Sequence, residues 1–168
     1  MQLDTLQRIT PCLWFDDQAE AAATFYVSVF GEKSRITHVS RYAEAGKEIH
    51  GKEPGSVLTV LFELDGHAFT ALNGGPAFKF NEAISLQIAC ESQAEVDHFW
   101  HALGEGGDPA AQQCGWLKDR FGLSWQVVPK RLMALLDDPD DARRERAFAA
   151  MMQMKKLDVA ALERAAAG

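Results

Sequence analysis

Three cysteines and five histidines are the first places to look for chemistry in this 168-residue chain. Thiolate and imidazole are the side chains that act as nucleophile, base or metal ligand near neutral pH. Cys12, Cys90 and Cys114 are an odd number at wide spacing with no CxxC pair, so neither a disulfide framework nor a structural zinc site is encoded. Reduced thiols of this kind fit a cytoplasmic location. His98 and His101 lie off the apolar stripe of their helix, and an HxxH pair without a third ligand nearby does not hold an ion. His38 and His50 fall in a strand and a polar loop with no partner in reach by sequence. His67 follows a tight turn, which places it at the rim of a site as a general base or lone metal ligand. Acidic pairs at 137–138 and 140–141 lack EF-hand spacing and read as helix caps.

The elements that position these residues follow from hydrophobic period. Arg8 to Phe15 is a β-type run closed by Asp16 and Asp17, which can cap the helix that follows. In that helix Ala22, Phe25, Tyr26, Val29 and Phe30 form one apolar stripe, and Gly31 stands at a left-handed cap position. Ser34 to Arg41 and Val57 to Leu64 read as strands flanking a polar loop, and Asp65-Gly66 signals a tight hairpin into His67 to Leu72. The order then begins again. Ala83 to Cys90 is a strand, Ser92 and Glu95 make a capping box, and the next helix buries Val96, Phe99, Trp100 and Leu103 up to Gly104. Two strands, Cys114 to Asp119 and Leu123 to Val128, close the second copy. Gln-Ala-Glu opens both helices and Gly-Glu closes both, as expected of a duplicated half-domain.

The fold class is therefore α+β: two βαβββ modules, about 6–76 and 80–130, with a helical extension over 131–168. Two such sheets side by side enclose a cup, and cups hold ligands. Alternation along each strand predicts Thr10, Cys12 and Trp14 facing the cup, with His67, Phe69, Ala71 and Asn73, then Ser85 and Gln87, then Ser124, Gln126 and Val128. Cys12, His67 and Gln126 are the candidate catalytic groups. Thr10, Trp14, Phe69, Asn73, Ser85, Gln87 and Trp116 are the candidate ligand contacts. In the extension, Phe148, Met151 and Met152 fall on one side of a helix that packs on its own domain or a second subunit.

A formal charge of -7 with 17 scattered Lys and Arg argues against nucleic acid as a partner. The opening MQLDTLQRIT has no charged n-region followed by an apolar stretch, and no window approaches the ~20 apolar residues of a membrane span. The expected partner is a small molecule, with neither nucleic acid nor membrane. The expected assembly is a homodimer that shares helices or strands across a two-fold.

The strings ITPCLWF, ALNGGPAFKFNEAIS, CGWLKDRFGLSWQVVPKRL and MMQMKKLDVAALERAAAG resemble the PhnB-like branch of the vicinal oxygen chelate (glyoxalase and bleomycin-resistance) superfamily, over nearly the whole chain. Many members carry the name demethylubiquinone methyltransferase. The resemblance implies the paired-module fold and, in the superfamily's enzymes, one metal ligand on the first and last strand of each module, usually His and Glu. Those positions here fall at Thr10 or Cys12, at Phe69, Ala71 or Asn73, near Ser85, and at Gln126. Neutral oxygen donors of this kind do not hold a divalent ion against water, so no metal and no cofactor is expected. A metal-dependent lyase, isomerase or dioxygenase, or a methyltransferase as the family name suggests, are the enzyme alternatives. The Gly-rich stretch 104–108 follows a helix rather than a strand, which is the wrong order for a nucleotide cradle.

Overall fold

A computed structural model describes residues 7–168, so the start of the first module at residue 6 lies outside the described residues. The chain divides into two compact units, 1–79 and 80–168. The first is a complete βαβββ module. Strand β1 (Cys12–Phe15) leads into helix α1 (Ala19–Phe30), then β2 (Arg35–Arg41), a loop carrying the short helix α2 (Lys47–His50), β3 (Val57–Leu64) and β4 (His67–Asn73). Sheet order is β1-β4-β3-β2, with β1 parallel to β4 and the other pairs antiparallel. Helix α1 lies on one face and buries Ala19, Ala22, Ala23, Tyr26 and Val29 against Leu13, Phe15, Val60, Phe62, Leu64 and Ala71. The rings of Tyr26, Phe62 and Phe69 form a continuous stack through this layer. Each such ring taken from water contributes about 2 kcal/mol.

Sequence placed the cap of α1 at Asp16 or Asp17; the structure places it elsewhere. The N-cap is Gln18, whose side chain caps nothing, and the first helical amide, Ala19 N–H, donates to Asn73 Oδ1 at 2.8 Å. The side chain that satisfies this helix terminus therefore comes from the end of β4, which locks the helix to the sheet it covers.

The second unit repeats the order with one strand fewer. It runs β5 (Ser85–Cys90), α3 (Gln93–Gly104), β6 (Trp116–Lys118) and β7 (Ser124–Pro129), with sheet order β5-β7-β6 and β5 parallel to β7. Where the first unit has β2, the second has a connection with one 3-10 turn at Pro109–Ala111. Ser92 Oγ accepts from Glu95 N–H at 3.2 Å as the capping box predicts, and Glu95 reaches back to the Glu91 amide at 2.8 Å. Helices α4 (Lys130–Leu136), α5 (Asp141–Met151) and α6 (Val159–Ala167) fold onto the end of β7. Their core joins Val128 to Leu132, Leu135, Ala147, Leu157, Leu162 and Ala166. On α5 it is Ala147 that turns inward, with Met151 packed beside it, whereas Phe148 and Met152 stay exposed. Among the described residues no helix is long and apolar enough to cross a membrane.

Candidate functional site

Pairing register decides which side chains share a face. In the first unit Cys12 is level with Thr70, and Trp14 with Leu72. The rows continue through Leu61 to His38 and through Thr59 to Ser40. These alternate with the buried positions Leu13, Phe15, Val60, Phe62 and Ala71, so they form the face that α1 leaves open. Cys12 and Trp14 thus share this open face, and Thr10 just precedes the strand with its hydroxyl donating to Gln7 O at 3.1 Å.

The expected partners on β4 do not lie there. His67, Phe69, Ala71 and Asn73 alternate onto the opposite, helix-covered face, and the open face of β4 is Ala68, Thr70 and Leu72. The reason is the hairpin. Asp65 and Gly66 both take positive φ, +46° and +81°, in a two-residue turn that pairs His67 directly with buried Leu64. His67 is exposed at the edge of the helix-covered face, away from Cys12. Asn73 is buried on that face and tied into the scaffold. Besides capping α1 it donates from Nδ2 to Val57 O at 3.1 Å, and its carbonyl accepts from the Tyr42 hydroxyl at 2.7 Å.

The open face is apolar with neutral polar points. Trp14 is half-buried, donates from Nε1 to Gly75 O at 2.8 Å and meets Phe78 edge-on at 4.9 Å between centroids. Gly74 lies flat against this indole, where a Cβ would come within 2.2 Å of the ring. The amides of Gly74 and Gly75 are spent on Phe15 O and Asp16 O and present nothing to a ligand. Partial burial holds the Cys12 thiol above its ordinary range. One charged pair, Arg35 with Glu63 at 2.9 Å, marks the margin of the face on β2 and β3.

The second unit brings its expected residues together. Ser85, Gln87, Gln126 and Trp116 share the face opposite buried Ile88, Trp125 and Val127, with Gln87, Gln126 and Trp116 in one row across three strands. Gln126 Nε2 donates to Ser85 Oγ at 2.8 Å. Ser124 is level with Ser85 on one side and Lys118 on the other, and Lys118 pairs with Glu82, whose carboxyl it holds below the usual range by hydrogen bond and charge. Val128 shares this phase but is covered by α4 to α6. Cys90 faces the helix, and burial, helped by the charge of Glu95, pushes its thiol up to about 11, an inert core position.

The profile of the 3-demethylubiquinone-9 3-methyltransferase family matches residues 7–128. The chain belongs to this PhnB-like family. A PhnB protein from Bacillus cereus that carries the same methyltransferase name is 34% identical, with a TM-score of 0.61 over 73% of this chain and 99% of its own. Protein PA1353 from Pseudomonas aeruginosa shares the fold at 22% identity and a TM-score of 0.55, over 74% of this chain and 98% of its own. No curated protein matches the sequence.

Two groups that the PhnB-like resemblance brings with it can be tested against the residues present. For a divalent metal, the open face of the first unit offers Cys12 and Thr70, with His38 at the far end of the same row and Glu63 already paired with Arg35, and that of the second offers Ser85 and Gln126, already bonded to each other. Among the described residues no three His, Cys, Asp or Glu side chains come together. This donor set does not fit a hard or borderline divalent ion. For S-adenosylmethionine, the turns into the two long sheet-covering helices hold no glycine: Asp16 to Gln18 joins β1 to α1, and Glu91-Ser92 joins β5 to α3, while Gly46 stands alone before the four-residue α2. The Gly-rich loop after α3 has a packing role instead, since a Cβ on Gly107 would lie 2.0 Å from Lys118 O. These turns do not fit a nucleotide-type cofactor.

Proposed function

We propose that this PhnB-like protein binds a small, uncharged, partly apolar molecule on its open sheet faces, without a tightly held divalent metal. The observation that carries this reading is the row structure of the first sheet. Trp14, Leu72 and Leu61 supply apolar contact, while Cys12, Thr70 and the mutually bonded Ser40–Thr59 hydroxyl pair supply neutral hydrogen-bonding points. Ligand sites are mostly apolar with a few placed polar groups, and this face has that balance. In the second unit Trp116, Gln87 and Gln126 repeat it, an indole beside two amides. Cys12 and Gln126 stand on these faces as the groups that touch the ligand; His67, on the other face, does not.

The expected result is twofold. Protein purified without chelators carries less than about one-tenth of an equivalent of Zn, Mn, Ni or Fe. Native mass spectrometry detects a co-purifying small molecule, or the protein binds the apolar probe anilinonaphthalene sulfonate with a change in tryptophan emission, and Leu72→Asp abolishes the binding by placing a charge at the centre of the face. Stoichiometric divalent metal, or probe binding indifferent to Leu72→Asp, overturns the reading.

A further inference from the structure

The helices beyond residue 128, which the family match does not reach, bring a thioether against a thiol of the second unit. Cys114 opens the turn before β6, Met152 stands at the C-terminal end of α5, and Cys114 Sγ lies 3.9 Å from Met152 Sδ. The two come from segments 38 residues apart. Backbone fixes their approach: Cys114 N–H donates to Met154 O and Gly115 N–H to Lys155 O, both at 2.8 Å. Gly115, at φ +84°, is wedged so that a Cβ would lie 2.9 Å from Leu157 Cδ1 and 3.0 Å from Val127 O, so this turn cannot slide. Cys114 is half-buried and Met152 is 42% exposed, which leaves the sulfur pair a path to solvent. Met151 and Met154 place two more thioethers in the same short segment.

Thiolate and thioether are soft donors, and they select soft ions such as Cu(I) over hard or borderline divalent ones. With metal–sulfur bonds of about 2.3 Å and a trigonal angle, two ligating sulfurs stand about 4 Å apart, which is the separation found here. We propose that Cys114 and Met152 form a site for a soft monovalent ion, Cu(I) or its analogue Ag(I), with a third position filled by an exogenous thiol. Binding replaces the Cys114 S–H proton with the metal and releases that proton to solvent, with no change of oxidation state. The site uses none of the residues assigned to the open sheet faces, and its success or failure leaves the reading of those faces unchanged.

The test is anaerobic titration of the full chain with Cu(I) against the chromophoric chelator bicinchoninate. One equivalent withdrawn from the chelator, with an ultraviolet thiolate-to-copper band, is expected. Cys114→Ser loses both, Cys12→Ser loses neither, and Met152→Leu, similar in volume and half exposed, weakens binding by about tenfold or more. Far-ultraviolet circular dichroism checks that the variants remain folded. Unchanged uptake in Cys114→Ser, or Met152→Leu binding as tightly as wild type, overturns the site and leaves only a thiol–thioether contact.

Discussion

Asp119→Ala is expected to lower stability by about 4 kcal/mol and the thermal midpoint by about 10 °C. Asp119 is 2% exposed, and its carboxylate is the single acceptor for three donors. Oδ1 accepts from Phe121 N–H at 2.8 Å and Leu123 N–H at 3.1 Å, and Oδ2 accepts from Trp125 Nε1–H at 2.8 Å. The turn between β6 and β7 and the indole at the centre of the second core thus hang on one side chain. Truncation leaves buried donors without an acceptor, at about 1–3 kcal/mol each, and opens a gap beside a fully buried tryptophan. Asp119→Asn keeps one carbonyl oxygen but turns an amide N–H2 toward a donor, so it falls between the two. Calorimetry and tryptophan emission report the loss together. A variant within about 1 kcal/mol of wild type, with unshifted emission, removes Asp119 from this role.

The same residue bears on the family signature. In the string GWLKDRFGLSWQ, Asp119 gathers the donors, Gly122 supplies φ +86° at the turn, and Trp125 fills the core. In ALNGGPAFKF, Asn73 caps α1, Gly74 makes room for the Trp14 ring and Phe78 closes on its edge. The strings that carry the resemblance are largely instructions for building two small sheets. The residues that identify the fold are spent on the fold, so they specify the family without specifying a reaction.

Much of the architecture was legible in the sequence because it rests on local chemistry. The apolar stripe of α1, the capping box of α3 and the Asp65-Gly66 turn are each decided within a few residues. The error lay in the phase of β4, and the sequence held the means to avoid it. A two-residue turn pairs residues 64 and 67, and the apolar alternation Val60, Phe62, Leu64 already marks the core face. His67, Phe69, Ala71 and Asn73 therefore follow Leu64 inward, and Thr70 and Leu72 remain outside. Three further features were not legible. The Asn73 cap joins residues 54 apart, the Asp119 carboxylate serves an indole across a hairpin, and the Cys114–Met152 contact spans 38 residues. The first and third depend on tertiary placement, the second on how the β6–β7 turn folds back, and a polar residue in a strand-and-turn context gives no local sign of which partner it takes.

That phase correction makes Asn73 the sharpest discriminator between a scaffold role and a ligand role. Asn73→Ala is expected to lower stability by about 3 kcal/mol while leaving the affinity of the open face for its ligand unchanged. Loss of Oδ1 uncaps Ala19 N–H, which typically costs about 1 kcal/mol, and loss of Nδ2 leaves the Val57 carbonyl short of a partner at a 6% exposed site, which adds a further ~1–2 kcal/mol. Amide hydrogen exchange should therefore quicken in the first turn of α1, at Ala19 to Ala22, well before the rest of the helix. A ligand-contacting asparagine would behave the other way, with probe binding lost and exchange in α1 untouched. The two outcomes separate because the side chain lies on the helix-covered face, across the sheet from Trp14 and Leu72.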